Sequence, residues 1–597
     1  MSSGDSERKK RVAAIAVCSF LLVAMVVAVT VGVSLNNEDG DDATSSGSKH
    51  SQISSSVKAI KDICAPTDYK KTCEENLRKE ADGTTDTKEL IQAAFKVAIK
   101  FVEQAAKNST TLQELEKDNM TRQALGVCKQ LMNFSMNELE KSIKSIGKFD
   151  FSKAEKMLMD LKTWLSATIA NQYTCLDGFH NTTTGAGEKM KKALKTAIEL
   201  SKNGLAIISD MSTMIANLQI DEGAHRRLLG TDLPVMGHSG ENFFANWFEK
   251  PQFRRLLGNG RHRVTHVKPN VVVAKDGSGK YTTINEALKD IPKNNAKTFV
   301  IYVKEGIYEE RIIFDYGMNH VVLIGDGAYK TRIRGHLNVA DGTNTFNTAP
   351  VAVYADYFFA KNIGFENYAG AIKYQAVALL VLSDFSIFYN CTIDGYQDTL
   401  YVHSKRQFYR DCIITGTIDF VFGDAAAVFQ NCKFLLRKPL DKQQNIVAAH
   451  NKQEERENTG LVFQNCSIEA HPEYVPFKTK MPSYLARPWA AYAKTIIMES
   501  YIDDSIVPEG WAPWNGTFGM NTCYFSEYNN YGPGANTAHR AAWQGVKTIT
   551  PEQALEYCPS RFILGDTWVT SMHVPYNPGV FGKKVKASLP PAASSRA

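Results

Sequence analysis

Apolar positions follow three rhythms along this 597-residue chain. Val12 to Leu35 is a run without a charged residue, preceded by Arg8-Lys9-Lys10-Arg11. Such a run is long enough to span a bilayer, and the basic flank should stay cytosolic. It predicts a cytosolic stub and a signal-anchor helix over 1–35, the helix itself over 12–35. A cleaved signal peptide would have a shorter apolar core. Residues 36–56, acidic and then serine-rich, read as a flexible stalk.

From 57 to 220 the apolar residues recur every three or four positions, as in Leu90-Ile91-Gln92-Ala93-Ala94-Phe95. Pro66 is the only proline before Leu218. This pattern predicts an all-α, up-down helical bundle. Beyond Val271 short β-branched and aromatic runs alternate with Gly, Asn and Asp, as in Phe299-Val300-Ile301-Tyr302-Val303 and Val321-Val322-Leu323-Ile324. One phrase recurs there: Phe388-Tyr389-Asn390-Cys391, Tyr409-Arg410-Asp411-Cys412, Phe429-Gln430-Asn431-Cys432 and Phe463-Gln464-Asn465-Cys466. Repeats of 20 to 25 residues rich in short strands predict stacked coils, an all-β parallel β-helix over 267–585. A β-propeller would need repeats nearer 40 residues. The longer last interval is assigned to an inserted loop over 445–458, and Ile284 to Leu288 to a helical cap on one end.

Between the two regions, 221–266 reads as a Gly-rich linker. It carries Arg226-Arg227-Leu228-Leu229 and Arg254-Arg255-Leu256-Leu257, a repeated dibasic word expected to be a processing site. Residues 586–597 read as a flexible tail.

Composition adds a compartment and removes some chemistries. A formal charge of +6 over this length is mild, and the short basic runs lack the interleaved aromatics of a nucleic-acid reader. Apart from Cys18 the cysteines are even in number, which suits an oxidising lumen. Cys64 and Cys73 are close enough to favour a local bridge, leaving Cys128 with Cys175. Sequons at Asn108, Asn119, Asn133, Asn181, Asn390, Asn465 and Asn515 agree with that compartment. No Gly-x-Ser-x-Gly elbow and no His-Glu-x-x-His occurs, so neither a serine hydrolase nor a metal site is expected.

Two segments carry the chemistry: Gly395-Tyr396-Gln397-Asp398-Thr399-Leu400-Tyr401 and Gly416-Thr417-Ile418-Asp419-Phe420-Val421-Phe422-Gly423. Each sets one aspartate among apolar neighbours, and the two are one repeat apart. Stacked coils would bring them within roughly one strand spacing, ~4.8 Å. Two carboxylates that close resist joint ionisation, so one keeps its proton while the other stays charged. Gln375 and Gln397 are also one repeat apart, and neutral amide donors beside carboxylates suit an oxyanion hole. Arg487, in Leu485-Ala486-Arg487-Pro488-Trp489, has the fork to hold an acid in one direction. Trp489 offers a flat face to a sugar ring, with Trp511 and Trp514 as further candidates.

Five motifs in order now carry a resemblance: Gly306-Ile307-Tyr308-Glu309-Glu310, the segment beginning at Gln375, and those of Asp398, Asp419 and Arg487. The chain resembles plant pectinesterases made with an N-terminal pectinesterase-inhibitor-like pro-region, which 57–220 would form. That resemblance implies a right-handed β-helix that hydrolyses galacturonate methyl esters of pectin, without a cofactor. It assigns Asp419 as nucleophile, Asp398 as proton donor, and Gln375 and Gln397 as oxyanion donors. Arg487 would orient Asp419, with Trp489 and Thr345 binding substrate and a bridge joining Cys412 to Cys432. It further implies secretion to the cell wall from a membrane-anchored precursor. Pectinesterase inhibitor proteins and a subtilisin-like processing protease would be partners. The family usually has Gly where this chain has Ala486; a glycine needing positive φ there would make alanine strained and displace Arg487. A polygalacturonase or lyase on the same scaffold is one rival reading. A non-enzymatic binding protein built around the helical region is the other.

Overall fold

A computed structural model describes residues 47–220, apart from 82 and 181, and residues 269–582. The anchor over 12–35, the linker with Arg226, Arg227, Arg254 and Arg255, and the tail over 586–597 lie outside the described residues. Among the described residues no helix is long and apolar enough to cross a membrane.

The helical region runs through α1 (Gly47–Cys64), α2 (Lys70–Glu80), α3 (Thr87–Leu115), α4 (Asn119–Gly147), α5 (Ala154–Asp177) and α6 (Ala186–Ile220). Helix α1 begins within the stretch read as stalk, so 47–56 is a correction: Ile53, Val57 and Ile60 already keep helical spacing. Asp86 and Asp118 start α3 and α4 by accepting from the backbone N–H of Glu89 and Thr121, which satisfies donors the helix leaves open. Helices α3 to α6 pack in sequence, and α6 closes back on α3. Disulfides join Cys64 to Cys73 and Cys128 to Cys175.

From Val271 the described strands form three parallel sheets of 11, 7 and 8 strands, successive coils pairing in register. The fold is the parallel β-helix the repeats predict. Inside it Phe388, Tyr409, Phe429 and Phe463 stack at centroid separations of 4.9, 4.6 and 5.1 Å. At the neighbouring corner Asn362, Asn390, Asp411, Asn431 and Asn465 all take positive φ, a conformation Asn and Asp tolerate best. Across coils Asn390 donates to Asn362, Asn431 to Asp411 and Asn465 to Asn431. Ile284–Leu288 is helical and packs against the first coils, burying Ile284, Ala287 and Leu288.

Two expectations are corrected. Asn445–His450 is a fully buried strand, paired with Val421–Gly423 on one side and Ser483–Pro488 on the other. The extra residues of that coil therefore lie on both sides of the strand, over 437–444 and 451–459. Cys412 and Cys432 are free thiols in a buried column with Cys391 and Cys466. In-register stacking keeps equivalent Cβ atoms about a strand spacing apart, ~4.8 Å, wider than the ~3.8 Å typical of a bridge.

The helical bundle seats on the outward face of the 7-stranded sheet. Register aligns Ala352, Leu380, Tyr401, Phe422, Ala449 and Arg487 in one row across that face. All but Arg487 share an apolar core with bundle residues such as Leu131, Leu161 and Leu165. Buried ion pairs flank the apolar contact: Lys405 with Glu138 at 2.5 Å, Lys141 with Asp356 at 2.8 Å, and Arg406 with Asp160 at 2.7 Å.

Candidate active site

The pairing of Leu400 with Val421 carries back two residues to set Asp398 opposite Asp419. Strict alternation cannot place both carboxyls outside, because Leu400, Phe420 and Val421 all face the core. A left-handed backbone at each aspartate, φ 61° and 51°, breaks the alternation and turns both side chains into a cleft. Backbone strain of this kind is held where surrounding structure over-determines it; here Asp398 N–H donates to the Ile418 carbonyl.

Arg487 Nε donates to Asp419 Oδ1 at 2.8 Å, and its Nη2 donates to Oδ2. The guanidinium also lies 4.3 Å from the Trp514 ring centre, so its planar fork is fixed on two sides. Asp398 has no such side-chain partner among the described residues. Burial, and next the charge of Asp419, push its carboxyl well above the usual range, with Arg487 opposing. A buried acid keeps its proton because the charged form loses hydration.

Gln375 and Gln397 form an isolated parallel bridge beside the acids, and both side chains line the cleft. Thr345 opens a short 3-10 turn whose start Asn344 caps by accepting from Phe346 N–H. Tyr401 and Phe422 stack at 4.2 Å as the floor. Trp489 lies 5.8 Å from Phe422 and 6.4 Å from Trp514. Trp511 instead is buried against Phe525 at 4.9 Å and belongs to the core. Asp398, Asp419, Gln375, Gln397, Thr345, Arg487 and Trp489 thus converge on one cavity of about 850 Å³. Among the described residues no cluster of His, Cys, Asp and Glu is arranged to hold a metal ion.

The sequence reading passed over Tyr401 and Phe422, although each follows its aspartate by three residues. It also missed Thr174 and Asp177, at the end of α5, which line the cavity from the bundle side. Thr174 Oγ1 shares a hydrogen bond with His403 Nε2 at 2.9 Å. Asp177 borders the cavity with its side chain still open to solvent; crowding by the docked β-helix pushes its carboxyl up to about 6 against a bond from Asn451. Ala486 is a further correction. It pairs in register with Ala448 inside a regular strand and has no positive φ, so its methyl group does not strain the Arg487 backbone.

Residues 270–566 match the Pectinesterase family, and 58–207 match the plant invertase/pectin methylesterase inhibitor family. The chain is 50% identical to the probable pectinesterase/pectinesterase inhibitor 21 of Arabidopsis thaliana, over 99% of its own length and 86% of that protein's. The chain belongs to the pectinesterase family. The putative pectinesterase/pectinesterase inhibitor 28 of Arabidopsis thaliana is likewise 50% identical, over 97% of this chain and 76% of that protein. Pectin methylesterase from carrot superposes with a TM-score of 0.53 at 44% identity, covering 53% of this chain and 100% of that one. The β-helix is thus a pectinesterase domain and the bundle an inhibitor-like domain. The family is one of cell-wall enzymes acting on pectin.

Proposed function

We propose that this pectin methylesterase works through an aspartyl acyl-enzyme and that its helical domain limits its activity in cis until the linker is cut. The observation that carries the chemistry is a carboxylate fixed by Arg487 one coil away from a carboxyl that burial keeps protonated. Asp419 Oδ attacks the carbonyl carbon of a galacturonate methyl ester, and Gln375 and Gln397 donate to the oxyanion that forms. As the tetrahedral species collapses, Asp398 gives its proton to the departing methanol. Asp398, now a carboxylate, takes a proton from the incoming water, which opens the acyl-enzyme and restores both groups. Thr345 and Trp489 bind flanking sugar.

Support for inhibition in cis is the seat itself. The inhibitor-like domain covers Leu380, Tyr401, Phe422 and Ala449, a face a polymer must cross. Cleavage at Arg226-Arg227 or Arg254-Arg255 by a subtilisin-like protease would release it. The precursor would be membrane-anchored through 12–35, and separate pectinesterase inhibitor proteins would compete for the vacated seat. Methanol release from methylesterified homogalacturonan tests the reading, with Asp419→Asn as control. A folded chain beginning at residue 267 that frees no methanol would end it.

A further inference from the structure

The docked inhibitor-like domain does not fill the catalytic cleft. It roofs it. The cavity of about 850 Å³ persists with both domains in place, and Asp398, Asp419, Gln375, Gln397 and Arg487 all border it. That volume lies within the ~300–1,000 Å³ usual for sites that hold a small molecule. Among the described residues no side chain of the bundle bonds to any of these five groups. Asp419 keeps its Arg487 fork, and the two glutamine side chains remain partly accessible.

Where the bundle does make contact is beside the reacting groups. Thr174 bonds to His403 and meets the Tyr401 hydroxyl at 3.4 Å. Asp177 is bonded by Asn451, and the Gly178 carbonyl accepts from Asn344 Nδ2. These contacts stop the groove on both sides of the acids, at the 337–348 loop and at the 451–459 loop. The roof has an opening: His180, Glu188 and Lys191 border the same cavity and are exposed to solvent.

We infer that the uncut chain is a chambered esterase, which retains turnover of short galacturonate methyl esters, of mono- to trisaccharide size, while excluding the polymer. This rests on the reading of inhibition in cis and sharpens it: the inhibitor-like domain blocks passage of a chain, and leaves the acyl-transfer groups assembled. The reaction in the chamber is the one already given, ester and water to acid and methanol, with the same proton movements.

The test compares the full chain, its linker changed by Arg226→Ala, Arg227→Ala, Arg254→Ala and Arg255→Ala to prevent cutting, with a chain beginning at residue 267. The carrot enzyme is matched over 100% of its own length by 53% of this chain, a share the size of the β-helix region, so a domain of this family folds without a bundle attached. Methanol release is measured on fully methylesterified oligogalacturonides from monomer to decamer and on polymeric pectin. The ratio of kcat/KM, uncut over short, should stay within about threefold of one for the smallest substrates the short chain turns over, and fall about 100-fold for decamer and polymer. A ratio equally low at every length would overturn the chamber and leave inhibition in cis standing. A ratio near one at every length would overturn both.

Discussion

Asp398 and Asp419 occupy matching positions in neighbouring coils, both on left-handed backbone, yet only Asp419 is gripped by Arg487. In the proposed mechanism that asymmetry divides the acid from the nucleophile. Replacing Asp419 by Asn should cut methanol release by about 10³-fold or more, as losing a nucleophile does. Arg487→Lys should cost less, about 10- to 100-fold, because an ammonium cannot make the paired bonds of the fork. Initial rates on methylesterified pectin by the chain from residue 267 check both.

The acid Asp398 also marks the stability curve. Its carboxyl is raised in the folded state by burial and by Asp419, so above the ordinary value of 3.8 the unfolded chain releases a proton that the fold retains. The fold is therefore penalised as pH rises through the carboxylate range. Asp398→Asn removes the penalty. Urea denaturation should show the variant more stable than the parent at pH 7, and the difference should vanish near pH 3.

Removing one oxyanion donor typically costs about 10²–10³ in kcat. Gln397→Ala and Gln375→Ala should each fall in that range with KM little changed, since the oxyanion exists only in the transition state. A change confined to KM would reassign the two glutamines to ground-state binding.

Docking of the inhibitor-like domain should tighten as pH falls from 7 toward 5. Asp177 is pushed up to about 6 in the docked chain, so the docked state binds a proton that a freely solvated carboxyl, at its usual 3.8, would not hold there. Asp177→Asn should flatten that dependence. His403, held down to about 3 by burial and by Lys405, works the other way, weakening docking as pH falls below about 6.5. Affinity of separately produced domains, measured against pH for parent and variant, reports the balance.

Arg406 is 1% exposed and bridges Asp384 of the β-helix and Asp160 of the bundle. Asp384→Ala leaves that guanidinium without its bidentate partner in the core and should destabilise the full chain by about 3–5 kcal/mol. Asp160→Ala should instead weaken docking alone, and the melting of the chain from residue 267 should be indifferent to it. Ala486→Gly, in a buried strand without positive φ, should leave activity within about twofold and cost roughly 0.5–1 kcal/mol of stability.

Local rhythm was enough to declare the coils. The Asn-Cys phrase repeats because each coil must place an aromatic ring, a left-handed corner residue and a small inward group at the same height, and that requirement is written residue by residue. The same logic made Asp398, Asp419, Gln375 and Gln397 legible, since one repeat in sequence is one strand spacing in space. It failed where register was interrupted: Asn445–His450 read as loop because its polar ends are buried by contacts no local pattern announces, Asn445 donating to Arg437 and Ser483 and His450 accepting from Lys494 N–H. The expected Cys412–Cys432 bridge erred in the opposite direction, because adjacency in a stack does not supply the approach a disulfide needs.

The chain's periodicity by itself settled two domains of opposite secondary structure and placed Asp398, Asp419, Gln375 and Gln397 one coil apart in pairs. Only the folded molecule decided that the bundle lies across the catalytic face, that Thr174 and Asp177 enter the cleft, and that Ala486 is harmless. The third depends on the pairing of Ala486 with Ala448 in the neighbouring coil, the first two on contacts between residues more than two hundred positions apart, such as Thr174 with His403. No periodicity connects such residues, and only complementary apolar surface and buried charge bring them together.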